Sequence, residues 1–123
     1  MDENRLLVRH GLRKLENSVR PGLRALLKLT GTEGRLSSSD IGFRIGPRLN
    51  AAGRMDQPEK ALAILMTECS NKALDLADEL ENSNRNRQHL EQAIFAEAMA
   101  MLKDSFNEPV IVVGSRSLHA GVV

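Results

Sequence analysis

From Ser70 to Asp104 the chain contains neither proline nor glycine, and these residues lie within its longest stretch free of both, residues 59–108. A single helix over these residues would be about 50 Å long, at roughly 1.5 Å of rise per residue. A compact body of this chain's size would have a radius of gyration of only about 14 Å, so such a helix would extend beyond it. We therefore predict that the stretch connects two bodies.

The polarity of residues 70–104 supports this interpretation. The middle part, residues 81–89, contains no apolar residue, whereas leucine and alanine recur on both sides of it. A helix that bridges two globular bodies is expected to bury its two ends and to leave its centre in water. The alternative is a helical hairpin that turns near residues 82–84, because asparagine and serine are poor helix formers. The sequence pattern leaves both arrangements open.

The first part of the chain has the apolar spacing of short helices. Leucines at helical intervals predict a first helix over residues 2–17 and a second helix between the turn at residues 20–22 and Gly31. Residues 37–40 are serines followed by an aspartate, which is a helix-start signal. Residues 41–45 alternate in polarity like a strand but fit a short helix equally well.

Two more helices are predicted before the long stretch. Pro47 suits the first turn of a helix over residues 47–52, and Gly53 stands where a left-handed residue would end that helix. Asp56 and Glu59 have the spacing of a capping box, which predicts the start of another helix.

The end of the chain carries a strand pattern. Residues 110–113 are a continuous run of valine and isoleucine between Pro109 and Gly114, as expected of a buried strand. One strand cannot form a sheet, so we expect the sequence to be truncated where an α/β domain begins. The predicted fold class is mainly α, with a helical subdomain, a long connecting helix and one C-terminal β-strand that starts a second domain.

The charge is unevenly distributed along the chain. The formal net charge is +1, but residues 1–54 sum to +6 and residues 55–123 to −5. Nine of the 11 basic residues in the first part are arginine, whose planar fork suits bidentate phosphate contacts. This composition favours nucleic-acid binding. The alternative is a solvated basic face that pairs with the acidic half.

Composition also limits the compartment. The chain has one cysteine, Cys69, so it cannot form an internal disulfide. No apolar run approaches the roughly 18 residues of a membrane span, and the charged first 20 residues do not resemble a secretory signal. We therefore expect a cytoplasmic protein with no membrane partner.

The densest group of functional residue types lies at residues 42–54, where three arginines, one asparagine and three glycines fall within 13 positions. If Pro47 opens a helix, its free backbone N–H groups add a positive dipole end beside Arg44 and Arg48. Such an arrangement would form a phosphate cradle. The alternative is a structural turn that carries exposed arginines.

Residues 40–55, DIGFRIGPRLNAAGRM, closely resemble a signature of the RecJ family of single-stranded-DNA-specific exonucleases, members of the DHH phosphoesterases. Shorter matches follow in the family's order at residues 4–12, 20–23, 84–88 and 110–122. The resemblance implies an internal fragment of an α/β two-domain enzyme. In that fragment, residues 1–69 are the C-terminal helical part of a DHH-type catalytic domain, 70–104 are the interdomain helix, and 105–123 start the DHH-associated nucleic-acid-binding domain.

The resemblance also implies the function. The intact family enzyme is a 5′-to-3′ exonuclease that uses Mn²⁺ or Mg²⁺, and its partner is single-stranded DNA in repair and recombination. The positions implied to contact DNA or phosphate, together with those of the cradle, are Arg44, Arg48, Asn50, Gly53, Arg54, His119 and Gly121. Leu118 and Ala120 depart from the family's usual tryptophan and proline, which puts a stacking role for that loop in doubt.

The family's metal ligands lie in motifs upstream of this region, which this chain lacks. Its only closely spaced aspartates, Asp75 and Asp78, fit a solvated helix face better than a metal site. We therefore expect no catalytic residue in this chain, no bound metal and no activity without the missing N-terminal and C-terminal segments. The alternative function is a small helical nucleic-acid-binding or adapter module without catalytic activity.

Overall fold

The computed structural model describes residues 2–102, 110–115 and 118–122. The elements, in order, are α1 (Asp2–Glu16), α2 (Pro21–Leu29), α3 (Ser38–Asp40), a π-helix (Ile41–Ile45), α4 (Gly46–Arg54), α5 (Pro58–Met66) and α6 (Ser70–Met101). The predicted mainly α class is confirmed. None of the described helices is both long and apolar enough to span a membrane.

The core lies where α2, α4 and α5 pack against the N-terminal half of α6. Leu26, Ile64 and Leu80 are the largest fully buried side chains. Small alanines at Ala52 and Ala73 are also completely buried, which lets the helices approach closely. The core therefore consists of aliphatic side chains.

Close packing explains the glycine that follows Pro21. Arg20 is extended and Pro21 begins α2, where its missing N–H is not needed. Gly22 is buried against α5, and a Cβ at this position would overlap the carbonyl oxygen of Ile64. Only glycine allows α2 to approach α5 this closely.

Residues 70–101 form one continuous helix, so the hairpin alternative is wrong. The expected solvated centre is observed at residues 82, 85, 86, 88 and 89, which are exposed, but the expectation is wrong at Ser83 and Asn84, which are buried. Nη2 of Arg87 donates to Oδ1 of Asn84 at 3.2 Å, which gives the buried amide oxygen a partner. Beyond Asn84 no described residue of α6 is buried, and Phe95 is 67% exposed, so the second buried end is not observed within the described chain.

The segment from Ser38 to Arg54 is helical throughout. Oγ of Ser37 accepts from the amide of Asp40, and Oδ2 of Asp40 accepts from the amide of Ser37, so a capping box begins the run. Residues 41–45 form a π-helix, which resolves the strand-or-helix alternative in favour of a helix. Short π-helical segments inside α-helices are frequent at functional sites.

Two predicted helix-boundary signals are wrong: Gly53 as a helix end and Asp56 as a helix start. Gly53 lies inside α4 and does not have a positive φ; Asp56 adopts the left-handed conformation instead, with φ of 57°. Aspartate tolerates this conformation because its short side chain can hydrogen-bond locally. Since Asp56 is used in this way, it does not cap α5, and Gln57 is the N-cap without a side-chain cap bond.

The predicted strand at residues 110–113 is not observed, and the described residues contain no strand. A strand requires a hydrogen-bonded neighbour, and the described part of the chain offers none. Residues 118–122 form a turn, in which the amide of Val122 donates to the carbonyl of His119 at 2.9 Å. Residues 103–109, 116, 117 and 123 of the predicted connecting helix and second domain lie outside the described residues.

We predict that Gly22→Ala destabilises the chain by about 2 kcal/mol or more, because the added Cβ overlaps the Ile64 backbone. Gly11→Ala is the matched control, since a Cβ at Gly11 in α1 meets no atom within 4 Å. That control should raise stability by about 0.5–1 kcal/mol through helix propensity. Urea unfolding followed by circular dichroism measures both, and similar effects at the two glycines would contradict the proposed close contact.

The capping box predicts an acid-sensitive helix start. Hydrogen bonds from Ser37, with a smaller contribution from the nearby Arg44 charge, hold the pKa of Asp40 below its usual value. A carboxyl with a lowered folded-state pKa contributes stability above its unfolded-state pKa, and this contribution is lost as the pH falls through the folded-state pKa. Asp40→Asn should therefore reduce the loss of stability on acidification below about pH 4.

Urea unfolding across this pH range tests the Asp40 prediction. Asp78→Asn, at an exposed position of α6, serves as the control. An unchanged acid-side loss in Asp40→Asn, relative to the parent chain and this control, would show that the cap does not contribute.

Candidate nucleic-acid interface

The exposed face of α4 carries three of the predicted phosphate contacts. Asn50, Gly53 and Arg54 are all exposed, and their spacing of three and four residues puts them side by side on the helix surface. Ala51 and Ala52 are fully buried on the other side of the helix. The packing of α4 on α6 therefore turns this polar face outward.

Gly53 leaves the backbone of α4 accessible in the middle of that face. The position where its Cβ would lie is open, with no atom within 4 Å. Glycine inside a helix costs about 0.5–1 kcal/mol relative to alanine. No described packing contact requires glycine here, in contrast to Gly22.

The C-terminal turn contacts the end of the same face. Nη1 of Arg54 donates a hydrogen bond to the carbonyl oxygen of Gly121 at 2.9 Å, although the two residues are 67 positions apart. A Cβ at residue 121 would overlap the carbonyl oxygen of Arg54, so this approach requires glycine. Two distant segments, each predicted to contact phosphate, therefore meet at Arg54.

The turn also orients His119. The amide of Gly121 donates to Nδ1 of His119 at 3.1 Å. Because Nδ1 accepts this hydrogen bond, the neutral imidazole carries its proton on Nε2. His119 is half-buried, and Gly121, which accepts the hydrogen bond from Arg54, also donates to its ring.

Arg48 pairs with a carboxylate of the protein itself, on α6. Its Nε donates to Oε2 of Glu81 on α6 at 2.7 Å, and only 18% and 16% of the two side chains are exposed. Nη1 of Arg48 also donates to the carbonyl oxygen of Arg44 at 2.6 Å. Arg85 donates to the other oxygen of Glu81 at 3.0 Å. The charge of Arg48 is thus matched inside the protein, where it fastens α4 to α6, and a phosphate contact by Arg48 stays a prediction.

Arg44 is held more loosely. Its Nε lies 3.6 Å from Oδ1 of Asp40, one turn earlier, and its side chain is 54% exposed. Exposed pairs of this kind contribute only about 0–1 kcal/mol. The guanidinium of Arg44 can therefore turn towards an anion at small cost.

The phosphate cradle predicted at Pro47 is wrong in its backbone part. The chain is already helical before Pro47, and the amide of Gly46 donates to the carbonyl of Ile41. No helix N-terminus opens at Pro47, so free N–H groups and a positive dipole end are not available there. The helical run begins at Ser37, where the side chain of Asp40 accepts from the backbone.

The chain is similar in sequence to single-stranded-DNA-specific exonucleases of the RecJ type. The chain is 38% identical over 124 residues to the single-stranded-DNA-specific exonuclease RecJ of Bacillus subtilis (strain 168), a match that covers 99% of this chain and 16% of the relative. The RecJ of Thermus thermophilus is 37% identical over 128 residues, covering 95% of this chain and 19% of that protein. No family model matches the chain.

Solved structures agree with the sequence matches. The crystal structure of RecJ from Thermus thermophilus in complex with Mn²⁺ superimposes with a TM-score of 0.87 at 36% identity, over 97% of this chain and 18% of that one. The chain is similar in sequence and structure to one region of these RecJ proteins. It spans less than a fifth of the length of these relatives. The predicted resemblance to RecJ is therefore confirmed.

The Thermus RecJ structures contain Mn²⁺ or Mg²⁺. In this chain, the described residues include no group of three or more histidine, cysteine, aspartate or glutamate side chains arranged to hold a metal ion. Asp75 and Asp78 are both exposed on α6. The described side chains do not fit a metal site, so we assign no metal-dependent step to them.

Two features of this region were not predicted from the sequence, one without a local signal and one with a usable signal. Glu81 pairs with Arg48 across 33 positions, and no local signal indicates this contact. Arg5, Arg9 and Arg13 line a groove beside Leu36. Their regular four-residue spacing was a usable signal, because residues four apart lie on one face of a helix.

We predict that Arg48→Ala destabilises the chain by about 1–3 kcal/mol, because Glu81 loses its closest partner at a largely buried position. Arg44→Ala is the matched control and should change stability by no more than about 0.5 kcal/mol. Urea unfolding of both variants provides the measurement. Equal losses at the two positions would contradict the structural role of Arg48.

Proposed function

We propose that this chain forms a strand-binding and connecting region of a RecJ-like, single-stranded-DNA-specific exonuclease. The observation that carries the proposal is the hydrogen bond between Arg54 and Gly121, which joins the polar face of α4 to the C-terminal turn. In this proposal, residues 1–69 belong to the catalytic domain, residues 70–104 connect it to the next domain, and residues 105–123 begin that domain.

The chemistry of the Arg54 contact supports phosphate binding. A guanidinium has five N–H donors, and Gly121 uses one of them. No described carboxylate pairs with Arg54, so its charge is not neutralised by the described part of the chain. Arg54 and the Nε2–H of His119 would bind phosphate oxygens, and the open backbone at Gly53 would let the strand approach closely.

The other candidate residues take supporting roles. Asn50 is exposed beside Arg54 and would donate through its amide to phosphate or to a base edge. Arg44, in the π-helix that precedes α4, would add a further cationic contact. We assign binding of the strand to these residues, and not the cleavage step, since the described side chains do not fit a metal site.

The two halves of α6 support the connecting role. Its N-terminal half is buried under α2, α4 and α5, whereas apolar side chains in its C-terminal half are exposed. These exposed side chains are Phe95, Met99 and Met101. In a RecJ-like enzyme they would contact a second body, and the rigid helix would fix that body's distance from the α4 face.

Binding to a fluorescent oligothymidylate, measured by anisotropy over a series of salt concentrations, tests the strand-binding proposal. Arg54→Ala should reduce the magnitude of the log–log salt slope by about 0.7, the value for one phosphate contact on a single strand. Gly121→Ala keeps the charge but displaces the turn, so it should weaken binding with a smaller change in slope.

Arg24→Ala removes an exposed arginine on α2 and serves as the matched control. Arg48→Ala should resemble this control in salt slope, because Glu81 already neutralises Arg48. A slope for Arg54→Ala equal to that of the parent chain would contradict the assignment of Arg54.

A further inference from the structure

A groove separate from the α4 face runs between α1 and the segment that precedes Ser37. It has a volume of about 730 Å³. Arg5, Arg9 and Arg13 line it from α1, and Arg35 lines it from the opposite segment. All four arginines are exposed, so the groove concentrates positive charge in an open site.

No described carboxylate is paired with these arginines. Glu16 is the one acidic residue that lines the groove, and its Oε1 accepts a hydrogen bond from the amide of Leu36 at 2.7 Å. The groove therefore has an excess positive charge, in contrast to the Arg48 site, where Glu81 supplies the counter-charge.

The spacing of the arginines is regular. Arg5, Arg9 and Arg13 are four residues apart, so successive guanidinium groups repeat about every 6 Å along the helix axis. Val8, Leu12 and Leu36 line the groove between them. A repeated cation along an apolar-lined groove suits a polymer in which every monomer carries one negative charge and one apolar face. Single-stranded DNA, with its phosphates and bases, has this composition.

We propose that this groove is a second binding track for single-stranded DNA. The inference rests on the proposed function, because it takes the same class of ligand, but it concerns different residues. Arg5, Arg9, Arg13 and Arg35 would each contact phosphate, while bases lie over the aliphatic side chains. Without an aromatic side chain in the groove, binding would show little sequence preference.

Anisotropy measurements with a long oligothymidylate test the track in the full chain. The double variant Arg9→Ala, Arg13→Ala should reduce the magnitude of the salt slope by about 1.4, at about 0.7 per contact. The charge-conserving double variant Arg9→Lys, Arg13→Lys should retain the parent slope. Lys14→Ala is the control on the same helix, because Lys14 is exposed but does not line the groove.

The outcomes separate this proposal from the proposed function. A reduced slope in the double alanine variant, with Lys14→Ala unchanged, supports the track. If Arg54→Ala lowers the slope and the double variant does not, the track is wrong and the α4 site stands. If the double variant lowers the slope and Arg54→Ala does not, the track stands and the assignment of Arg54 fails.

Binding of a polyglutamate peptide tests whether the groove takes an acidic protein segment instead of DNA. If the double alanine variant loses polyglutamate binding but keeps the parent affinity and salt slope for DNA, the groove serves an acidic protein segment and the proposal is overturned. Circular dichroism of each variant confirms that α1 remains helical, since all the substituted positions are exposed and alanine favours helix.

Discussion

The packing of three short helices on the N-terminal half of α6 is the interaction on which the rest of the structure depends. Leu26 from α2, Ile64 from α5 and Leu80 from α6 are completely buried where these helices meet. The fully buried alanines of α4 allow close approach on one side of that helix, so its opposite side must face solvent. The position of Asn50, Gly53 and Arg54 thus follows from apolar burial at the other side of α4.

The charge asymmetry of the sequence has two different uses in the structure. Part of it is neutralised internally, where Arg48 of the basic part pairs with Glu81 of the acidic part at 2.7 Å. The rest is left without a described counter-charge, at Arg54 and along the α1 groove. Net charge alone does not distinguish these uses, because an arginine that fastens two helices and an arginine that faces solvent contribute equally to the sum.

Much of the helical architecture was predictable, because proline, glycine and leucine spacing act locally. The start of α2, the capping box at Ser37 and the length of α6 all follow from such signals. The errors occur where tertiary contacts override local preference. Gly53 has a helix-ending residue type but lies inside α4, and Asp56 takes the left-handed conformation. The centre of α6 is polar in sequence, but two of its residues, Ser83 and Asn84, are buried in the folded chain.

In the candidate site, the residues could also be predicted from local sequence, whereas the contacts between distant residues could not. The arginine- and glycine-rich segment and the His119 turn were recognisable by resemblance, and Arg54 and Gly121 do meet. Their contact itself was not predictable, because 67 residues separate them and no local pattern encodes the meeting. The partner of Arg48 was unpredictable for the same reason. The π-helix at residues 41–45 also removed the helix start on which the backbone cradle depended.

The contact between Arg54 and Gly121 has a consequence for the order in which the structure assembles. Helices and their near neighbours form from contacts close in sequence, whereas this contact must bring distant segments together and is expected to form late. An exposed hydrogen bond contributes only about 0.5–1.5 kcal/mol, so the turn can detach while the helical core stays folded. A polyanion bound by both Arg54 and His119 would then favour the attached state, and docking of the chain's last residues would be coupled to occupancy of the site.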